Sequence, residues 1–206
     1  MGGLRTVSLE MLEGEALYRE VVLHRMAQAR ESVWIATANV KAMLVEHEGR
    51  FRPLVDLFEG LSARGVELKL LHAELPSRPF RKFFDAKRNL VRGGLQLKIC
   101  PRVHFKCVLI DGAWLYLGSA NLTGAGLGAK HKDTRNFELG FVSEDFDTID
   151  RVTALYQSIW SGTECARCRL YDVCPDPIGV QARAVKGRKK RGGSDIVLGR
   201  SRRLGK

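Results

Sequence analysis

Asp111-Gly112 stands between two apolar runs, "HFKCVLI" and "AWLYLG". An Asp-Gly pair accepts the positive φ values of a tight two-residue turn, so the chain must double back there as a β-hairpin. The elements around the hairpin decide what it packs against. Leu17, Val21, Val22, Met26 and Ala29 share a broad apolar face, which predicts a helix over roughly 15–31. The β-rich run "SVWIATANV" at 32–40 follows. Leu54, Leu57, Phe58 and Leu61 recur at helical spacing and Gly65 is a stop. A strand is expected at 66–71, a basic helix at 77–90 and a strand at 95–99. This α-β alternation argues a sheet covered by helices.

After the hairpin comes a Gly-rich loop, "GSANLTGAGLGAKHKD", and then a strand, "NFELGFV", at 136–142. Ser143 is in position to cap a helix whose apolar face is Phe146, Ile149, Val152, Tyr156 and Ile159. With 206 residues and 45% apolar content, the chain suffices for one well-filled domain. That domain is placed at 1–162, with a cysteine-rich segment at 163–178 and a tail at 179–206. No apolar run reaches the ~18 residues of a membrane span, and the start has no apolar signal region, so a cytoplasmic location is expected.

Charge separates the parts further. Of the net +11, residues 180–206 carry +9, from ten Lys/Arg against the single acid Asp195. The body is near neutral. Such a tail suits a polyanion, either nucleic acid or an anionic membrane, although a solvated and disordered tail has the same composition.

On a strand, residues two apart face the same side, so His104 and Lys106 project together. The hairpin returns Gly118, Ser119 and Asn121 beside them. This gathers an imidazole, an ammonium, a hydroxyl and a carboxamide around one point. Lys and Asn offer fixed donors to phosphate oxygens, and an imidazole can attack phosphorus or move a proton. No cluster of Asp, Glu and His with divalent-metal spacing accompanies them, which favours phosphoryl chemistry without Mg²⁺. Taken singly, each of these residues could equally be a polar member of an ordinary hairpin.

The stretch "HFKCVLIDGAWLYLGSAN" resembles the phospholipase D superfamily signature, H-x-K-x4-D-x6-G-S-x-N, at every fixed position. The resemblance implies a mixed α/β sandwich, with helices on both faces of a mixed sheet, and a phosphodiesterase that works through a phosphohistidine. On it, His104 is the nucleophile, Lys106 and Asn121 bind phosphate, Ser119 supports them and Asp111 is mostly structural. In small single-motif members a glutamate on the next strand orients the histidine ring, which assigns that role to Glu138. A solvent-facing edge charge is the plainer reading of it. His131-Lys132-Asp133 spells the same letters without the spacing, so it reads as a solvated loop.

The chain carries one motif where longer members carry two. It therefore resembles the small bacterial nucleases and the Zucchini-type enzymes, in which a homodimer joins two motifs across a two-fold axis.

Five cysteines are present, three of them in "CARCRLYDVCP", Cys165, Cys168 and Cys174. The spacing resembles iron–sulfur staples of certain exonucleases, and it also suits zinc. A structural [4Fe–4S] cluster or a zinc ion is expected there. Cys100 is the first candidate for fourth ligand and Cys107 the second. The basic tail, the single motif and the cysteine segment favour a nuclease that binds DNA or RNA in an active-site groove. A phospholipase D-type lipid phosphodiesterase is the alternative, and it would need an apolar membrane-facing surface that the sequence does not display.

Overall fold

The computed structural model describes residues 5–47 and 49–177, so the basic tail lies outside the described residues. The first half comprises β1 (Glu10–Glu13), α1 (Glu15–Leu17) widening into a π-type helix over Tyr18–Met26, and β2 (Ser32–Thr37). A hairpin of β3 (Leu44–His47) and β4 (Arg50–Pro53) leads to α2 (Leu54–Ala63), β5 (Glu67–His72), α3 (Arg78–Asp85) and β6 (Gln96–Ile99). The second half holds β7 (Lys106–Ile110), β8 (Trp114–Gly118), β9 (Leu139–Ser143) and α4 (Phe146–Trp160).

One seven-stranded sheet runs in the order β1-β9-β8-β7-β2-β5-β6, with β3 and β4 paired separately. β2, β5 and β6 are parallel, while β7 runs antiparallel to β2 and the remaining pairs are antiparallel. Two consequences follow. The sheet is mixed, and one of its ends collects the carboxyl ends of β2, β5, β6 and β8 with the amino ends of β7 and β9. His104, Lys106, Gly118 and Glu138 all fall at that end. In open α/β sheets this is where ligands bind, at the switch between strand directions.

Alternation along β2 and β7 builds a core on each face. Val33, Ile35, Val108 and Ile110 meet Val21, Val22 and Met26 of the first helix and Phe58 of α2. Ala36, Cys107 and Leu109 meet Ile149, Tyr156 and Trp160 of α4. Strands covered on both sides become continuously apolar, which is why "KCVLI" has no polar face. Burial pushes the Cys107 thiol up to about 12 and leaves it an inert core residue.

The hairpin turn is as the sequence implies. Asp111 and Gly112 have φ of 52° and 62°, the left-handed pair that a tight turn between twisted strands requires. Several expectations need correction. The first helix ends at Met26 and β2 at Thr37, because residues 38–42 leave the sheet to serve the site. The basic helix stops at Asp85, and a π-type turn at Leu90–Gly94 bends the chain into β6. Ser143 closes β9, and the cap of α4 is Asp145, whose carboxylate accepts from the Thr148 amide at 2.8 Å. Phe146 lies off the packed face, 75% exposed. β1 and the β3–β4 hairpin carry too few apolar residues to announce themselves in the sequence.

Candidate active site

Lys106 begins β7 with its side chain on the face of Val108 and Ile110. It is 8% exposed, and its Nζ donates to the His104 carbonyl at 2.6 Å. No carboxylate pairs with it among the described residues. A buried lysine whose ammonium has one acceptor and no counter-charge among the described residues is poised for an anion. His104 precedes the strand and is exposed, its ring free of hydrogen bonds to the described residues.

Asn121 is oriented from behind. Its Oδ1 accepts from the Ala38 and Asn39 amides, each at 3.1 Å, and the Thr37 hydroxyl, also at 3.1 Å, shares its one proton between that oxygen and the Asn39 carbonyl at 3.0 Å. With that oxygen saturated, the NH₂ group is the end left to act, as a donor only. Thr37 also accepts from the Leu122 amide at 3.1 Å, which ties the loop after β8 to the end of β2. Continuing the antiparallel β2–β7 register, in which Ala36 faces Cys107, sets Thr37 opposite Lys106. The two phosphate-type donors are therefore neighbours.

Ser119 is the third member. Its hydroxyl donates to a Glu138 carboxylate oxygen, and the Leu139 amide donates back to it at 3.1 Å. The other Glu138 oxygen accepts from Asn136 Nδ2 at 3.1 Å. Glu138 thus sits at the entrance to β9, bound to Ser119 and Asn136, and it makes no hydrogen bond to His104. Tyr116 packs behind this group. Burial pushes its phenol up to about 12, against the nearby Ala120 amide and with the Glu138 charge adding to the rise. The Tyr116 ring also explains two glycines. A Cβ on Gly140 would stand 2.2 Å from Tyr116 Cε2, and one on Gly118 would stand 2.4 Å from its hydroxyl and 2.6 Å from the Leu139 carbonyl.

Asp111 does not join the cluster. It lies at the other end of β7, about 16 Å along the strand from Lys106. There its carboxylate accepts from the amides of Arg30, Glu31 and Ser32, at 2.8–3.2 Å. Partial burial works to raise this carboxyl, but the three amides and the Arg30 charge outweigh it and hold it below the usual range. His131 is exposed and paired with Asp133 at 3.0 Å. His72 is buried at the end of β5 with Nδ1 donating to the Glu74 carbonyl at 2.9 Å, and burial lowers its pKa despite that bond. Neither histidine faces the Lys106–Asn121 pair through a hydrogen bond. Thr37 and Tyr116 escaped the sequence reading, because their partners are remote in the chain. The one available signal was a polar residue closing an otherwise buried run, "SVWIAT".

Cys100, Cys165, Cys168 and Cys174 line one small cavity at the same end of the sheet, while Cys107 lies in the core. No group of three or more His, Cys, Asp or Glu side chains among the described residues stands arranged to hold a metal ion. No helix among them is long and apolar enough to cross a membrane.

Among solved structures, the chain is similar to NucT from Helicobacter pylori, with a TM-score of 0.53 at 16% identity over 74% of this chain and 95% of that one. It is equally similar to Nuc from Salmonella typhimurium, a phospholipase D family member, with a TM-score of 0.53 at 20% identity over 75% of this chain and 95% of that one. These likenesses confirm the mixed α/β fold. No curated protein matches the chain. A family model does, the one described as "Cardiolipin synthase, PLD-like domain", over residues 22–160. That match spans β2 through α4 and includes the whole Lys106–Asn121–Ser119 cluster, so the chain belongs to the phospholipase D-like domain family.

Proposed function

We propose that this phospholipase D-superfamily phosphodiesterase is a nuclease that cleaves DNA or RNA through a phosphohistidine on His104. The observation that carries the reading is the buried Lys106, without a counter-charge among the described residues, beside an Asn121 whose oxygen is engaged and whose NH₂ group is left to donate, with an exposed imidazole two residues away. Two fixed donors hold the non-bridging oxygens of a phosphodiester while the imidazole attacks phosphorus. The P–O bond to the leaving group breaks, and water later attacks the phosphohistidine to release the product. Glu138 supports the site through Ser119, which its carboxylate holds in place.

The leaving oxygen needs a proton from the opposite side, and one His104 cannot attack and protonate at once. We assign the second histidine to a second copy of the chain. Met11, Phe141 and Leu117 are cross-strand partners on β1, β9 and β8, and with Leu139 they form an apolar row 39–56% exposed beside Ser119. A homodimer through this row brings two motifs together.

The same apolar row supports the second reading, a lipid phosphodiesterase that presses it against a membrane. The +9 that lies beyond residue 179 suits nucleic acid and an anionic bilayer alike, so substrate assays decide between the two readings. The deciding experiment offers the full chain labelled single- and double-stranded DNA and RNA, and phosphatidylglycerol vesicles, in EDTA. Nucleic-acid cleavage without lipid turnover supports the nuclease. Lipid turnover alone replaces it with the second reading. Circular dichroism before and after chelation shows whether the fold survives it.

A further inference from the structure

The segment after α4 is ordered in an unusual way. From Ser161 to Pro177 its only buried residue is Gly162. The side chains turned partly inward are Cys165, Cys168, Tyr171, Cys174 and Asp176. Fixing a backbone costs about 1–2 kcal/mol per residue, and an ordinary segment offsets that by burying apolar side chains. This one turns three thiols inward instead, while Val173 faces solvent and Leu170 is only an exposed edge of the cavity. The cavity they line is completed from elsewhere in the chain by Cys100, which follows β6. All four thiols are free of disulfides.

We propose that Cys100, Cys165, Cys168 and Cys174 form a tetrathiolate site for one zinc ion, which clamps the segment after α4 to the end of the sheet. Four thiolates, with the C-x2-C pair on consecutive turns, make a complete tetrahedral zinc set. One zinc ion is preferred to an iron–sulfur cubane because it asks for the four thiolates alone, with no inorganic sulfide. The cavity is ≈ 20 Å³. That is little more than one water-sized sphere, and a zinc ion ~2.3 Å from each sulfur needs no more. The sulfurs must draw together over the ion, because they do not already stand as a ligand set. Metal sites commonly close in this way as binding and folding couple.

The surroundings suit the charge that results. A zinc tetrathiolate carries about two negative charges. The Arg102 guanidinium lies beside Cys168 and supplies positive charge there. Asp176 accepts from the Ile99 amide at 3.2 Å, which ties the far end of the segment to β6. Lys98 donates to the carbonyl of Trp160, the last residue of α4, at 2.7 Å. The clamp reaches the reaction centre through one turn. The Cys100 amide donates to the His72 carbonyl at 2.8 Å, the Val103 amide donates to the Cys100 carbonyl at 2.9 Å, and His104 comes next. Zinc would therefore hold the turn that presents His104, although the site itself stands whatever the substrate.

The test uses the full chain purified under reducing, oxygen-free conditions. Elemental analysis should find about one zinc per chain, released as a thiol-blocking mercurial titrates four cysteines. Cobalt exchanged for zinc should give the intense visible bands of tetrahedral thiolate coordination. Cys100→Ser and Cys168→Ser should each cut zinc content at least about ten-fold, while Cys107→Ala retains it. If the serine variants misfold, the wild-type metal content and cobalt spectrum still decide. A brown protein with iron and acid-labile sulfide, two disulfides, or four free thiols without metal would each overturn the proposal. So would zinc that persists in Cys100→Ser.

Discussion

Thr37 and Asn121 lie 84 residues apart in the chain, and the hydroxyl of one stands 3.1 Å from the carboxamide oxygen of the other, its single proton shared between that oxygen and the Asn39 carbonyl at 3.0 Å. That bond, with two amides of the following loop, decides which end of Asn121 faces the site. Replacing Thr37 with Val keeps the shape and removes the hydroxyl, leaving the Leu122 amide without its acceptor. We predict a fold loss of about 1 kcal/mol and a roughly ten-fold drop in kcat, as donor alignment is lost. Unaltered kcat in Thr37→Val would show that Asn121 does not depend on it.

His104→Ala should abolish cleavage, and Lys106→Ala should lower it by at least about 10²-fold, as removal of a preorganised donor does elsewhere. Because Lys106 is a buried cation without a counter-charge among the described residues, Lys106→Met should leave the fold about as stable, the lost bond to the His104 carbonyl being offset by the lost desolvation of the ammonium. Thermal melts beside turnover check both halves, and a variant that loses stability with activity would make Lys106 a structural residue.

The dimer is tested by mixing. Equal wild-type and His104→Ala chains, unfolded together and reassembled at random, should retain about a quarter of wild-type activity at equal total protein. Self-sufficient chains would retain about half. Met11→Glu with Phe141→Glu should yield monomers by analytical ultracentrifugation and lose activity without losing the fold.

Asp111→Asn keeps a residue that tolerates positive φ and removes the charge that accepts three amides. We expect about 1–3 kcal/mol of destabilisation near neutral pH. The native carboxyl lies below its unfolded value, so its contribution is full above that value, about 3.9, and fades as pH falls through the depressed native pKa. Denaturant melts of both proteins should therefore converge at strongly acid pH. A gap that stayed constant there would mean that charge is not the cause.

Gly140→Ala should cost about 1–3 kcal/mol by forcing a methyl into the Tyr116 ring. A melting temperature equal to wild type would show that the ring can move aside.

Much of this protein was legible without coordinates, for local reasons. Asp111-Gly112 dictates the hairpin because few residues accept that backbone, and the hairpin dictates that Lys106 and Gly118 meet. The helices of residues 17–26 and 54–61 follow from apolar spacing, since burying one face is what holds them. The H-x-K and G-S-x-N spacings were likewise readable, because strand alternation is local. Tertiary structure alone decided the rest. It ended β2 at Thr37 to seat Asn121, buried Lys106 with no counter-charge among the described residues, and bound Glu138 to Ser119 rather than His104. It also exposed the Met11–Phe141–Leu117 row, which belongs to three strands and to no single run of sequence. Cys100 meets Cys165 only because β6 and the end of α4 finish at the same edge of the sheet. Spacing sets what one element presents, but burial and charge pairing depend on which elements the sheet order makes neighbours.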